Sequence, residues 1–217
     1  MCPLTLNAAL EQIQLDIPPD QSERLGHFCR LLWNWNDKLN LTRHTDFETF
    51  AARDLVDCWQ LAQLLSKQEK TLDVGTGGGV PGVVLAILRP DLRISLSESV
   101  GKKSRALEAI VRELGLPTPV FHSRAEAHLE DARYDVLVAR AVGPLWKMLK
   151  WVEPHWAAFG RFLAIKGPRW VEERAEARHR GYLRGLQLRK VVSYQMPGTE
   201  SESVILKIWP TTRDEPS

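Results

Sequence analysis

Leu72-Asp-Val-Gly-Thr-Gly-Gly-Gly-Val-Pro-Gly82 is the stretch that decides the fold. A short apolar strand passes an aspartate, enters a glycine-dense turn and leaves through a proline. Gly75, Gly77 and Gly79 permit positive φ and let a ligand approach the backbone closely. Pro81 suits the first turn of a helix, where its missing N–H costs nothing. The N–H groups at that helix start are then expected to face an anionic group of a ligand. Asp73 adds a fixed negative charge where a cation is welcome.

Such a junction predicts a nucleotide-type cofactor site on a Rossmann-like sheet. The dinucleotide fingerprint is G-x-G-x-x-G under a pyrophosphate, whereas this turn reads Gly75-Thr-Gly77-Gly-Gly79. An aspartate two residues before the first glycine repels a pyrophosphate and attracts an ammonium. S-adenosylmethionine, with its amino-acid moiety, therefore fits better than NAD. For the glycines taken alone, a plain turn with no ligand is the competing reading. The second anchor is Arg93-Ile-Ser-Leu-Ser-Glu98, an alternating strand ending in an acid 25 positions after Asp73. In nucleoside-binding sheets an acid there bonds the ribose hydroxyls.

The chain has 217 residues, 44% hydrophobic and 26% charged, which suits one globular domain with a small appendage. A net charge of +2 is too mild to establish a nucleic-acid partner. Cys2, Cys29 and Cys58 lack C-x-x-C spacing, which argues for a reducing compartment and against a disulfide framework or a metal site. No apolar run reaches the length of a membrane span, and Met1–Leu10 lacks a basic-then-apolar leader pattern. The expectation is cytoplasmic, with no membrane partner.

Organisation follows the periodicity. Asp20–Glu23 resembles a capping box behind Pro18 and Pro19, and Leu25, Phe28, Leu32, Trp35 and Leu39 then form one helical face. Thr45–Glu48 is a second capping box, and Ala51, Leu55, Cys58, Ala62 and Leu65 form the next face. Residues 1–69 are read as a helical extension packed on a sheet domain spanning 70–210, with 211–217 as a disordered tail. Strands are expected at Thr71–Val74, Arg93–Glu98, Val120–His122, Asp135–Ala139, Arg161–Ile165, Leu188–Tyr194 and Ser203–Trp209. Helices are expected at Pro81–Leu88, Lys102–Leu114, Leu145–Val152 and Val171–Leu183. The last two strands, joined by a turn with Pro197 and Gly198, pair antiparallel. The fold class is α/β: a mostly parallel seven-stranded, doubly wound sheet with helices on both faces, ending as class I methyltransferases do.

Further motifs carry a resemblance. Trp35-Asn-Asp-Lys38, Asn40-Leu-Thr42, Arg53-Asp-Leu-Val-Asp57, the glycine turn, Ser99-Val-Gly-Lys-Lys103, Ser123-Arg-Ala-Glu126, Ala139-Arg-Ala141 and Ile165-Lys-Gly167 follow in order. From about Leu25 to Ile208 the chain resembles the RsmG (GidB) family, bacterial methyltransferases of guanine N7 in small-subunit ribosomal RNA. The resemblance implies S-adenosylmethionine as cofactor and 16S ribosomal RNA or the small subunit as partner. It implies cofactor contacts at Gly75, Val80, Ala125, Glu126 and Arg140, to which the residue reading adds Asp73, Gly77, Gly79 and Glu98. Glu126 read alone suits an ordinary acid in a helix's first turn. Arg140, after the buried run Val136–Ala139, is placed to hold the cofactor's carboxylate or an RNA phosphate. The family usually has proline at Gly78, histidine at Asp54 and serine at Cys58. It also has a basic residue where this chain has Glu202-Ser203. The changes at Asp54 and Glu202 are expected to lower positive charge on surfaces facing RNA.

Missing motifs narrow the chemistry. Arg140-Ala-Val-Gly-Pro144 replaces the Asn/Asp-Pro-Pro-aromatic loop of exocyclic-amine methylation, and no cysteine falls at the sheet's carboxyl edge as a carbon-5 nucleophile. Guanine N7 carries an exposed lone pair and no proton. Its methylation needs alignment and no general base, so no catalytic acid–base residue is expected. RNA binding is assigned to Arg43, Lys102, Lys103, Arg140, Lys166 and Arg169. Arg174, Arg178, Arg180 and Arg184 read equally as a phosphate-binding face or a solvated helix. Trp146, Trp151, Trp156 and Trp170 include candidates for stacking on a flipped base, although tryptophan is usually buried. The protein is expected to be a monomer. The alternatives are a methyltransferase for a small molecule or protein, and a non-catalytic RNA- or nucleoside-binding protein.

Overall fold

The computed structural model describes residues 5–216, so Cys2 and the first residues read for a leader lie outside the described residues. The helical extension holds α1 (Leu6–Gln12), α2 (Pro19–Leu39), α3 (Phe47–Thr49) and α4 (Val56–Ala62), the last two joined by a π-helical stretch at Phe50–Leu55. Helix α1 was not expected. It is seven residues long, with Leu6, Ala9 and Leu10 inward and the Thr5 hydroxyl capping the Ala8 amide. The expected box at Asp20 is not the start of α2. Pro18 is the N-cap and Pro19 opens the helix, because a proline at the first position loses no hydrogen bond. The α3 cap is Asp46, one residue later than expected, whose carboxylate accepts the Thr49 amide.

Alternation then begins. It runs β1 (Lys70–Val74), α5 (Gly82–Leu88), β2 (Arg93–Ser97), α6 (Gly101–Glu113), β3 (Val120–Phe121) and α7 (Ala125–Asp131). It continues through β4 (Tyr134–Arg140), α8 (Leu145–Val152), β5 (Phe159–Lys166), α9 (Trp170–His179), β6 (Leu186–Gln195) and β7 (Glu202–Pro210). Gly115, at φ +61, follows the α6 end where a left-handed residue stops a helix. The strand order is β3-β2-β1-β4-β5-β7-β6, parallel except that β7 runs against β5 and β6. Helix α9 ends at His179 rather than Leu183, and a turn through Gly181 and Gly185, both at positive φ, leads into β6.

Strand alternation splits the core between two faces. Val136, Val138, Leu163, Ile165 and Ile205 face a core shared by α1, α2, α4, α5 and α6. Leu137, Ala139, Phe162, Ala164, Val204, Leu206 and Ile208 face α7, α8 and α9. The helical extension thus buries its apolar faces in the same core as the first βα units. An ion pair crosses this assembly under cover: Arg161 of β5 meets Glu69 through Nη1 at 2.6 Å and Nη2 at 2.9 Å. After β7, the Thr211 amide donates to the Gly185 carbonyl and Arg213 Nη1 to the Phe159 carbonyl.

Candidate functional site

Strand order reverses between β1 and β4, and open α/β sheets bind ligands outside the carboxyl ends at such a switch point. A cavity of about 210 Å³ opens there, lined by Gly75, Ser97, Ser99, Ser123–Glu126, Val142 and Trp151. Gly75, Ala125 and Glu126 of the expected cofactor set therefore meet on one wall. Gly75 is at φ +67, and a Cβ there would lie 3.0 Å from Val142 Cγ1. Ser123 Oγ is buried with no hydrogen-bond partner among the described residues.

The rest of the glycine turn also makes contacts within the fold. The Gly75 and Thr76 amides donate to the Ser97 carbonyl, and the Gly79 amide donates to the Thr76 carbonyl. The expectation that α5 offers its first amides to a ligand is corrected: the Gly82 amide donates to Asp73 Oδ2 at 2.8 Å. Asp73 is covered in this structure, not open to an ammonium group. It is fully buried beneath the turn, and it packs so close to Gly82 that a Cβ there would sit 2.7 Å from its carboxylate and 2.2 Å from Leu96. Burial pushes its pKa up to about 7 against the pull of the Gly82 amide. Glu98 is 6% exposed; Oε2 accepts the Gly77 amide at 3.1 Å and Oε1 the Val100 amide at 2.7 Å. Gly77 and Gly79 take positive φ, Gly79 in close contact with Val83 of α5, and Val80 packs against the core that the extension shares with the first βα units. Gly78 packs on Leu32 and the Leu41 carbonyl, so the extension covers the turn's far side.

Arg140 lies across the switch point, in a cluster that sequence reasoning did not assemble. Its Nη2 meets Asp54 Oδ1 at 2.6 Å and its Nε meets Asp57 Oδ2 at 2.7 Å. Tyr194 donates to Asp57 Oδ1 at 2.7 Å, and His44 Nδ1 lies 2.9 Å from Asp54. Burial alone lowers the Arg140 pKa, but the Asp54 and Asp57 carboxylates outweigh it and hold the guanidinium charged. Burial raises Asp57, and burial with the Asp57 charge raises Tyr194. Asp54 is 2% exposed, which corrects the expectation that it faces RNA: it is an internal counter-ion. The available signal was the pair of acids in Arg53–Asp57, set into an otherwise apolar helical face.

A second cavity of about 320 Å³ adjoins this cluster, bounded by Asp57, Arg140, Ala141, Gly143, Lys166, Gly167 and Ser203 among others. One loop separates the two cavities: Val142 lines the first, Ala141 and Gly143 the second. The loop is conformationally constrained, with Ala141 at φ +55 and Gly143 at φ +147. It is pinned from behind. Lys166 Nζ donates to the Gly143 carbonyl at 2.5 Å and pairs with Glu173 at 2.7 Å, and Glu173 accepts the Leu145 amide. Lys166, expected as an exposed phosphate ligand, is 6% exposed and committed to this brace. Arg43, Lys102 and Arg169 are exposed and Lys103 is half-buried. Of the tryptophans, Trp151 reaches the first cavity, while Trp156 packs on Phe159.

A sequence model of the family described as GidB, rRNA small subunit methyltransferase G, matches residues 21–203. The chain belongs to that family. It is 50% identical over 194 residues to ribosomal RNA small subunit methyltransferase G of Rhodopirellula baltica, covering 89% of this chain and 84% of that one. Among solved structures it resembles a precorrin-6y C5,15-methyltransferase from Geobacter metallireducens GS-15, with a TM-score of 0.54 and 15% identity over 80% of this chain and 95% of that one. It also resembles a mutant of MtNAS in complex with S-adenosylmethionine, with a TM-score of 0.56 and 12% identity over 94% of this chain and 84% of that one. The family resemblance carried by the motifs and the class I fold are both borne out. As a member of this methyltransferase family the protein is an enzyme. Its Asp54 departure sits in the buried cluster that orients Arg140.

Proposed function

We propose that this protein transfers a methyl group from S-adenosylmethionine to N7 of a guanine in 16S ribosomal RNA. Its substrate is the RNA or the assembled small subunit, and it acts in the cytoplasm as a monomer. The observation that carries this reading is the pair of cavities divided by the Ala141–Gly143 loop. Gly75, Ala125 and Glu126 would hold the cofactor in the first cavity, where the close approach at Gly75 and the unpartnered Ser123 hydroxyl suit a polar ligand. Glu98 adjoins Ser97 and Ser99 of that wall and keeps a free lone pair on each oxygen for ribose hydroxyls. When bound, S-adenosylmethionine supplies a sulfonium methyl open to direct displacement.

The second cavity takes the base. Arg140 spends two of its three nitrogens on Asp54 and Asp57, which fixes the plane of the guanidinium. Nη1 is left to donate to an acceptor such as guanine O6. The braced loop sets the distance between base and donor, and positioning of this kind supplies several kcal/mol of a displacement barrier. Arg43, Lys102, Lys103 and Arg169 then contact the RNA backbone.

The test is methyl transfer from labelled S-adenosylmethionine to small-subunit RNA transcripts, assembled subunits and a small-molecule extract. One guanine is expected to be labelled, located by mass mapping. Placing 7-deazaguanine at that position abolishes transfer while binding persists. Label in the small-molecule extract alone, or continued transfer to the 7-deaza base, overturns the reading.

A further inference from the structure

Helix α9 carries acids and arginines in close sequence, yet the structure sorts them by face. Glu172, Glu173 and Glu176 line a cavity toward α8 together with Trp146 and Arg169. Arg174, Arg178 and Arg184 line a different one, about 320 Å³, on the side of β6, floored by Leu183, Leu186 and Leu188. No carboxylate lines that groove. Among the described residues none of its three arginines has an ion-pair partner, whereas Arg180, on the other side, pairs with Glu176 at 2.5 Å. Arg174 also sits 5.3 Å from the Trp170 ring, with Lys190 at 5.7 Å from the same ring, so the basic strip continues past an aromatic face.

The groove begins beside the second cavity, where Arg174 follows Glu173 of that cavity's lining, and runs away from it toward Leu186. Leu186 pairs with Pro210, and β7 runs against β5, so this end of the sheet is where β5 begins. Gly75 and Arg140 lie at the opposite, carboxyl edge. Leu188 lies level with Phe162 through Ile208, whereas Arg140 pairs with Ile165, so the groove's floor is three to five residues from Arg140 along the strands, about 10–17 Å at roughly 3.3 Å per residue, and three strands across the sheet. A single base held at Arg140 does not span the groove to Leu186. A folded RNA does.

We propose that the Arg174–Arg178–Arg184 groove is a second RNA-binding site, which grips the phosphate backbone of a segment beyond the target guanine. The inference rests on ribosomal RNA being the substrate. Three unpaired guanidiniums over an apolar floor match phosphodiester oxygens bridged by sugar surface. The site adds affinity and register without touching the reacting base.

The test compares wild type with Arg174→Gln/Arg178→Gln/Arg184→Gln, and with Glu172→Gln/Glu176→Gln as a control on the other face. The probes are a full-length small-subunit RNA transcript and a 20-base-pair RNA duplex of arbitrary sequence. For the triple variant, affinity for both probes is expected to fall about tenfold or more. The slope of log affinity against log salt drops by about two to three, near one unit per lost phosphate contact. The loss in methyl transfer to the transcript falls on kcat/KM, S-adenosylmethionine affinity stays at the wild-type value, and the melting temperature confirms folding. The acidic-face variant does not weaken binding. Unchanged affinity and slope in a folded triple variant overturn the groove while leaving the functional reading intact. Failure of the wild type to methylate any RNA overturns that reading, and the groove falls with it.

Discussion

Asp73→Asn tests the physical account of the glycine turn. In the folded protein burial lifts the Asp73 pKa from 3.8 to about 7. The unfolded chain releases this proton near 3.8, whereas the folded chain keeps it until about 7. Between those values the unfolded state binds fewer protons, so stability falls as pH rises, by up to about 1.4 kcal/mol per pH unit. The contribution is complete below 3.8 and lost above about 7, a span of roughly 4 kcal/mol. The substituted amide oxygen still accepts the Gly82 amide but cannot ionise. The stability of the variant relative to wild type therefore rises by about 2–3 kcal/mol between pH 5 and pH 8. Urea unfolding followed by tryptophan fluorescence at half-unit pH steps measures it. Asp57, also raised by burial, is present in both proteins and cancels. Curves that run parallel within about 0.5 kcal/mol would show that Asp73 ionises at its ordinary value. The buried-carboxylate account of the turn would then be wrong.

Three other outcomes follow from the packing. Arg161→Met leaves the Glu69 carboxylate buried without its partner and costs about 3–5 kcal/mol, while adding Glu69→Leu recovers most of it; urea midpoints decide. Gly75→Ala forces a side chain into φ +67 and against Val142, whereas Gly181→Ala meets the same strain at φ +85 with nothing within 4 Å. Both lose about 1–2 kcal/mol, but in calorimetry only Gly75→Ala weakens S-adenosylmethionine, and equal affinities would remove Gly75 from the cofactor wall. Lys102→Glu/Lys103→Glu lowers the salt dependence of RNA binding, whereas Lys166→Met leaves it unchanged and lowers the melting temperature. A reduced salt slope in Lys166→Met would return that lysine to the RNA face.

The sheet was legible because its strands are short apolar runs separated by glycine turns, and β4 announces itself by Val136–Ala139, buried on both faces. Helix α1 escaped because three inward positions in seven residues make no recognisable period. The acids show where sequence reading stops. Asp73 stands near a strand end as ligand-binding acids do, but such a carboxylate looks the same whether it meets a ligand or a backbone amide. Burial decides between them, and burial is a tertiary quantity. The Arg140 cluster was illegible for a related reason. Tyr194 and Asp57 are 137 positions apart, and nothing local in either segment names the other.

The strand order has a consequence for how the molecule is made. The last strand synthesised, β7, is an inner one, with Val204, Ile205, Leu206 and Ile208 fully buried between β5 and β6. A chain released from N- to C-terminus can complete the β3-β2-β1-β4-β5 portion early. Until residues 202–210 emerge, β5 is an open apolar edge, the kind that recruits other strands. Tyr194 arrives equally late, so Asp57 and Arg140 wait for nearly the whole chain before their cluster closes. A stalled or prematurely stopped chain is therefore an aggregation hazard with an unfinished site, and not a smaller working enzyme.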